Sequence, residues 1–258
     1  MATRSPRAPL TAFVLHRYDW SESSVILDLF TREQGRLAVA AKGAKKPYSN
    51  FRSVLLPFQR IHAALSGAVA KDESSTSDVQ NLRGAEWAGG AAMLTGAALF
   101  SGFYLNELLM KLLARHDPHP ALFDAYALTL PLLGPGEDAR TQSALRAFEL
   151  TLLQEIGLLP DLSVATQTQQ PLADTASYAL RPEAGVIEAR GDESGLSGAT
   201  LVGLQAALEH GSLEALQQAC AGALPALKAQ LRALLHYHLG SATLRTRQVM
   251  LDVQNLAP

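Results

Sequence analysis

Short runs of β-branched and aromatic residues alternate with polar turns along the first part of the chain. This pattern predicts five strands, at Leu10–Tyr18, Ser23–Phe30, Leu37–Ala41, Val54–Ser66 and Val79–Glu86. Pro57 lies inside the fourth strand and indicates an edge strand or a bulge there. Because no segment with helical spacing interrupts these strands, we expect a small closed barrel. The oligonucleotide-binding (OB) barrel fits best, and an SH3-like barrel would show a similar pattern.

The spacing of the apolar residues becomes helical from Trp87 onwards. The first such segment runs from Trp87 to Arg115, and it ends before Pro118 and Pro120 because neither proline can continue a helix. The same spacing predicts further helices at Ala121–Leu133, Thr141–Ile156, Ala199–His210, Leu213–Ala221 and Leu224–Leu239. The second part of the chain is therefore mainly helical.

Residues 161–197 interrupt the helical part. This segment is polar and short of large apolar residues, and its pattern predicts a small hairpin at Tyr178–Leu180 and Val186–Glu188. The predicted fold class is thus α+β and multidomain. An N-terminal five-stranded OB-fold barrel occupies 1–86 and a mainly helical domain occupies 87–258, with 161–197 as a small irregular insertion.

Basic residues are concentrated in the predicted barrel. Residues 1–60 contain ten Lys and Arg against four acidic residues, a net charge of +6, and since the whole chain carries −2 the remainder carries −8. A basic module joined to an acidic one is typical of a protein that binds a polyanion through one domain. A second basic face is predicted within Ala215–Leu251, which has no acidic residue. Its cations are Lys228, Arg232, Arg245 and Arg247.

The stretch Gly35–Arg60 is the most basic part of the barrel and contains no acidic residue. Its cations are Arg36, Lys42, Lys45, Lys46, Arg52 and Arg60. Two apolar strands that flank a basic loop can present cations to a phosphate backbone, and the ordinary alternative is a solvated surface. Tyr48 and Phe51 in this loop either stack on bases or pin the loop to the barrel.

The chain lacks the residue patterns of a catalytic or metal centre. Cys220 is the only cysteine, which excludes an internal disulfide and a cysteine-built zinc site, and its apolar neighbours predict core packing. His116 and His119 lie in a helix-ending turn rather than on one helical face. Neither a phosphate-binding glycine motif nor a Gly-x-Ser-x-Gly elbow is present. We therefore predict that the protein is not an enzyme and holds no metal.

The N-terminus has no apolar core of the kind found in signal peptides, and Pro6 and Pro9 would interrupt one. The longest apolar stretch, Ala88–Leu113, is broken by polar residues such as Glu107 and Lys111. It suits a buried helix better than a membrane span. We predict a cytoplasmic protein without membrane contacts.

Three long segments carry a recognisable pattern. The first, GRLAVAAKGAKKPYSNFRSVLLPF at residues 35–58, places a glycine, a short strand, a basic Gly-Ala loop and Leu-x-Pro-Phe in that order. The second is YLNELLMKLLARHDPHPALFDAY at 104–126, and the third is LRALLHYHLGSATLRTRQVM at 231–250. Together they resemble the RecO family of bacterial recombination mediator proteins, and the resemblance spans nearly the whole chain in the right order.

The resemblance implies an OB barrel, a helical domain and often a small zinc module. Members that bind zinc place two Cys-x-x-Cys pairs in the segment equivalent to 161–194. In this chain the four positions fall near Ala165, Thr168, Glu188 and Gly191, and none is a cysteine. We therefore expect the backbone of the module to persist, held by its apolar residues, without zinc or another cofactor.

The resemblance also implies a function. RecO-like proteins bind single- and double-stranded DNA, anneal complementary strands and, with RecR, help RecA displace single-strand-binding protein (SSB). None of these steps needs a catalytic residue, and such a protein would be associated with the nucleoid. The residues predicted to bind DNA are Arg17, Arg36, Lys42, Lys45, Lys46, Tyr48, Phe51, Arg52, Arg232, Arg245 and Arg247.

The role of the second basic face stays open at the level of sequence. Arg232, Arg245 and Arg247 would hold another DNA strand, so that one molecule brings two strands together. Alternatively, residues such as Leu227, Arg232 and Leu235 would receive the acidic, aromatic-ended C-terminal tail of SSB.

The alternative function for the whole protein is a protein-interaction scaffold whose barrel docks a partner protein. Salt dependence separates the two functions, because DNA binding weakens steeply with added salt.

Overall fold

The computed structural model describes residues 8–66, 79–89, 93–134, 138–191, 193–240 and 244–256. The chain divides into two compact units. The first comprises Met1–Met93 and Leu108–Asp124, and the second comprises Leu94–Glu107 and Ala125–Pro258. The first unit contains the strands predicted to form a barrel, and the second contains most of the helices.

Five strands of the first unit form a closed barrel. They are β1 (Leu10–Asp19), β2 (Val25–Thr31), β3 (Gly35–Ala41), β4 (Arg60–Leu65) and β5 (Gln80–Trp87). Around the barrel the order is β1-β2-β3-β5-β4, and all neighbours are antiparallel except β3 and β5. Those two pair in parallel, with Val39 opposite Gln80 and Ala40 opposite Asn81. This arrangement confirms the predicted OB barrel.

The barrel interior is filled by small and branched apolar side chains. Because successive side chains of a strand point to opposite faces, every second residue of β2 points inward. Val25, Leu27 and Leu29 are accordingly fully buried in the core, together with Val39 of β3 and Ile61 of β4. The charged residues of the barrel are thereby restricted to its outer face and its loops.

The strand predicted at Val54–Ser66 is wrong over its first part. Phe51–Val54 instead form the short helix α1, and Phe58 has a left-handed backbone with φ +68°. Pro57 has no N–H to donate, and the chain rejoins the barrel where Phe58 donates its N–H to the Val14 carbonyl at 3.1 Å. The basic loop is thus followed by a helical turn rather than by a long strand.

One outer face of the barrel is covered by a later stretch of the same unit. This stretch includes the end of α2 (Gly96–Leu112) and the start of α3 (Pro120–Thr129). The ring centroid of Phe123 lies 5.1 Å from that of Phe13 and 5.4 Å from that of Phe30. The three aromatic rings form a small cluster that stabilises the barrel from outside.

The turn between β2 and β3 approaches this stretch closely at Gly35. The glycine has φ +68°, and a Cβ at its position would lie 2.0 Å from the carbonyl oxygen of Asp117. Next to it, His116 donates its N–H to the Arg36 carbonyl at 3.0 Å. A residue with a side chain would clash here, so the approach requires glycine.

The second unit is built around α4. The helices that lie entirely within this unit are α4 (Ala139–Glu155), α5 (Gly198–His210), α6 (Leu213–Ala221), α7 (Leu224–Leu239) and α8 (Arg245–Leu256). Most of α4 is buried, and it contacts α6 and α7. The predictions of α4 to α7 are confirmed, and α8 is an addition. The helix predicted from Trp87 begins only at Gly96, because Trp87 still belongs to β5.

The predicted insertion contains a small three-stranded sheet. Its strands are β6 (Ser177–Arg181), β7 (Gly185–Glu188) and β8 (Leu196–Ser197), in the order β7-β6-β8. Gln230 on α7 fastens this sheet: its side-chain oxygen accepts from the Leu180 N–H at 2.9 Å, and its amide nitrogen donates to the Ser194 carbonyl at 3.0 Å. A buried amide with such partners fixes the position of the sheet on α7.

A second polar anchor stands inside the insertion. The Thr166 hydroxyl oxygen accepts from the Val186 N–H at 2.8 Å, and the Thr166 N–H donates to the Val186 carbonyl at 2.9 Å.

Within the described residues, no group of three or more His, Cys, Asp or Glu side chains is placed to hold a metal ion. Of the helices that the structure describes, none has the length and apolar character that a bilayer crossing requires.

Candidate functional site

Two loops at one end of the barrel enclose a shallow depression of about 470 Å³. One is the turn between β1 and β2, and the other is the basic loop that follows β3. The depression is lined by Trp20, Ser21, Ser23, Ser24, Lys42, Gly43 and Lys46. Two of the predicted DNA-binding cations therefore lie beside an aromatic ring.

The two loops are tied together by hydrogen bonds. The Lys45 N–H donates to the Ser23 carbonyl at 2.9 Å, and the Gly43 N–H donates to the Ser24 hydroxyl at 3.3 Å. The Lys45 ammonium adds a bond to the Ser21 carbonyl at 2.9 Å and an ion pair with Asp19 at 3.0 Å. Lys45, which was predicted to bind DNA, therefore serves first to hold the depression in shape.

Four other predicted cations of the first unit are exposed to solvent. Lys42 and Lys46 line the depression, and neither is paired with an acidic side chain in the part of the chain that the structure describes. Arg17 near the end of β1 and Arg52 on α1 are also exposed, but they do not line the depression. The two lysines are the cations best placed for a ligand in the depression.

The two aromatic residues of the basic loop differ in environment. Tyr48 is 98% exposed. Phe51 is partly buried and packs against the barrel core. Of the two roles considered for this pair, Phe51 pins the loop to the barrel, whereas Tyr48 contributes nothing to that packing.

Arg36 lies in the interior of the first unit rather than on a free surface. Only 12% of its side chain is exposed, and its Nε lies 3.4 Å from the buried carboxylate of Asp28. Its guanidinium also donates to the carbonyls of Met110 and Leu113, the latter at 3.0 Å, where the last carbonyls of α2 attract a cation. The predicted DNA contact of Arg36 is therefore not supported by its position.

Sequence reasoning missed Trp20. Its side chain is 56% exposed and lines the depression between the two loops. A signal was available, because a tryptophan within the polar turn Asp19–Ser24 has no inward-facing strand position to occupy.

A second cavity, of about 320 Å³, lies in the second unit between α2, α4, α7 and α8. Its apolar walls include Phe100, Leu145, Leu235 and Met250. Lys228, Arg232 and Arg247 also line it. Leu227 is fully buried and does not line the cavity. The structure thus brings Arg232, Arg247 and Leu235 together in one cleft and leaves Leu227 out.

The cleft contains a buried polar group. The Tyr104 hydroxyl donates to Glu149 Oε1 at 2.6 Å, and Arg146 Nη2 donates to the same oxygen at 2.5 Å. Burial raises the pKa of Tyr104 well above its ordinary value, so the phenol stays protonated. The Nε of Arg146 is buried and has no hydrogen-bond partner among the described residues.

The remaining predicted residue, Arg245, begins α8. Its N–H donates to the Glu107 carboxylate at 2.9 Å, as do the N–H and the hydroxyl of Thr246, at 2.9 and 2.7 Å. A carboxylate at the first turn stabilises a helix and satisfies its free N–H groups. The Arg245 residue is exposed, and it does not line the cleft.

Comparison with known families decides where the chain belongs. Residues 8–83 match the family model of the recombination protein O N terminal, and residues 93–248 match that of the recombination protein O C terminal. The chain belongs to the RecO family. RecO proteins are DNA repair and recombination proteins, and this chain is one of them.

Individual relatives agree over nearly the whole chain. The DNA repair protein RecO of Polaromonas naphthalenivorans is 55% identical over 247 residues, which cover 95% of this chain and 96% of that protein. RecO of Variovorax paradoxus is 52% identical over 254 residues, with the same coverage. RecO of Verminephrobacter eiseniae is 52% identical over 258 residues, covering 99% of this chain and all of that protein.

Proposed function

We propose that this RecO chain is a non-catalytic recombination mediator. It binds single- and double-stranded DNA, anneals complementary strands and, with RecR, helps to load RecA onto SSB-coated single strands. The observation that carries the proposal is the basic depression between the two tied loops of the barrel. A polyanion is the ligand class that two lysines beside an aromatic ring would attract, since neither lysine pairs with an acidic side chain among the described residues.

Counterion release supplies the affinity in this proposal. Lys42 and Lys46 each neutralise a phosphate and release condensed cations, and the exposed Arg17 and Arg52 extend the basic surface outside the depression. Such contacts carry no sequence information, which is what strand annealing requires.

Binding of a labelled single-stranded oligonucleotide, followed by fluorescence anisotropy at several salt concentrations, tests the proposal. Lys42→Ala/Lys46→Ala should weaken binding and lower the magnitude of the slope of log K against log salt by about 1.4, since each lost phosphate contact contributes roughly 0.7 for single strands. Arg140→Ala/Arg190→Ala, which removes two exposed cations of the second unit, is the matched control.

Three outcomes of this titration separate the candidate functions. A slope that falls only in the lysine variant supports the proposal. Tight binding that both variants share would move the DNA site away from the barrel loops. No binding by the wild type at low salt would contradict the proposal and favour a protein-interaction scaffold.

We further propose that the cleft of the second unit receives the C-terminal tail of SSB. An acidic peptide that ends in an apolar side chain suits a cavity with apolar walls and rim cations such as Arg232. Arg232→Glu should abolish binding of the tail peptide, as measured by anisotropy, without changing the binding of DNA to the barrel. Equal loss of both activities would contradict two separate sites.

A second DNA strand is the competing use of this face. Arg232 and Arg247 line the cleft, whereas Arg245 lies outside it. Charge reversal of Arg245 and Arg247 tests the idea by strand annealing in the absence of SSB. Annealing that is unchanged in this variant would leave the cleft to the peptide.

A further inference from the structure

We infer that Trp20 is a base-stacking residue that makes the barrel favour unpaired DNA over duplex. The inference rests on the proposed function, because it concerns the same depression, and it assigns the selectivity to one side chain. The indole is 56% exposed, and it lines the depression together with Lys42 and Lys46. Two cations beside an aromatic ring are what a phosphate–sugar–base unit of a single strand needs.

Hydrogen bonds within the turn hold the backbone that carries Trp20. The N–H groups of Trp20 and Ser21 donate to the Ser24 carbonyl at 3.3 and 3.2 Å, and the Ser24 N–H donates back to the Ser21 hydroxyl at 3.2 Å. The Ser24 hydroxyl in turn accepts from the N–H of Gly43 in the basic loop. These bonds hold the backbone of Trp20 next to the basic loop, so less conformational entropy is lost when the indole is placed beside a base.

The other exposed aromatic residues of the first unit are placed less suitably. Tyr48 is 98% exposed and does not line the depression that Lys42 and Lys46 share. The ring of Tyr18 lies 4.4 Å from that of His16, measured between centroids, and the Trp87 indole donates to the Gln59 side chain at 3.1 Å. Among the described aromatic residues of the first unit, Trp20 is thus the one that lines a cavity together with exposed cations.

Stacking on Trp20 distinguishes single-stranded from duplex DNA because the faces of the bases are accessible only in the single strand. In a single strand the faces of the bases are available to an aromatic ring at little cost. In a duplex the same faces are covered by neighbouring pairs, and an inserted side chain must first unstack a base step. The lysines contact phosphates in both forms, so only the indole contributes selectivity.

The experiment uses the full chain and its own fluorescence. Trp20 and Trp87 are the only two tryptophans of the sequence, so Trp87→Phe leaves Trp20 as the single reporter. We expect a thymidine oligonucleotide to quench this fluorescence on binding, and a blunt duplex of equal length to quench it weakly. Anisotropy of the labelled DNA reports binding independently of the indole.

Substitution gives the second readout. Trp20→Ala should raise the Kd for the thymidine oligonucleotide about tenfold, within the range known for loss of one base–aromatic stack. The Kd for duplex should change by less than about twofold. Trp20→Phe, which keeps a ring, should retain most of the affinity, and Tyr48→Ala is the matched control for loss of an exposed aromatic residue.

The outcomes separate this inference from the proposed function. Quenching by single strands together with a selective loss in Trp20→Ala supports it. Oligonucleotide binding by anisotropy without quenching, or equal effects of Trp20→Ala and Tyr48→Ala, would overturn it and leave DNA binding intact. No oligonucleotide binding by the wild type would overturn both.

Discussion

Gly35 illustrates how a single residue fixes a tertiary approach. Its φ of +68° alone would cost a residue with a side chain about 1–2 kcal/mol. In addition, a Cβ would lie 2.0 Å from the Asp117 carbonyl oxygen, so the backbone around Asp117 must move. We expect Gly35→Ala to lose about 2 kcal/mol more in free energy of unfolding than a glycine with the same φ and open space, as is usual for overpacking.

Gly157 provides that comparison. It has φ +71°, and a Cβ built on it meets no atom within 4 Å. Urea unfolding of Gly35→Ala and Gly157→Ala therefore separates backbone strain from the clash. Equal losses of unfolding free energy in the two variants would show that the backbone around Asp117 moves without a cost in stability.

Cys220 gives a chemical prediction at the same scale. The residue is fully buried, and burial raises the pKa of its thiol to about 12. Since the thiolate is the reactive species, the folded protein should react with a disulfide reagent at pH 8 only very slowly. Reaction with one thiol per chain should follow at once after unfolding in guanidinium. Rapid labelling of the native protein would contradict the packing described here.

The candidate site was predictable from the sequence in its charge but not in its detail. The run of cations between Gly35 and Arg60 identifies the loop, yet three of its members differ in role. Lys42 is exposed, Lys45 ties two loops and Arg36 is buried against Asp28. Composition cannot distinguish these roles, because each depends on partners that lie elsewhere in the chain.

At the scale of elements, Gln230 holds the small sheet of the insertion to α7. Gln230→Leu would leave the buried Leu180 N–H without a partner and would remove the bond to the carbonyl of the exposed Ser194. A buried N–H without a partner costs about 1–3 kcal/mol, so we expect a loss of that size in urea unfolding. Gln218→Leu on the exposed side of α6 should change stability by less than about 0.5 kcal/mol. Similar stabilities of the two variants would show that the amide bonds are dispensable.

The local spacing of apolar residues predicted most helices and strands. It failed where contacts with residues far away in the sequence determine the backbone conformation. The apolar run at 54–58 was predicted as part of a strand, but the chain there turns so that Phe58 can bond to Val14. Helix α8 begins where the Glu107 carboxylate caps the N–H groups of Arg245 and Thr246. That carboxylate comes from a residue far away in the sequence, so the residues around 244 do not reveal which group caps the helix.

At the scale of the whole molecule, the net charge does not show how differently the charge is distributed between the first sixty residues and the rest of the chain. A value of −2 would suggest a protein indifferent to DNA, yet the first sixty residues carry +6. Because salt screens charges beyond about 10 Å at 0.1 M, a polyanion at the loop would respond mainly to the charges close to it and not to the net charge of the chain. Local charge is therefore the relevant quantity for affinity.

The aromatic cluster on the outside of the barrel bears on how the chain can be truncated. Phe123 follows the barrel by dozens of residues, but it belongs to the same unit and covers the side chains of Phe13 and Phe30. A fragment that stops after β5 would bare two phenylalanine rings on its outer wall. We expect such a fragment to aggregate on gel filtration, and Phe13→Ser/Phe30→Ser to restore a monomeric peak. A monodisperse fragment without these substitutions would show that the strands alone suffice.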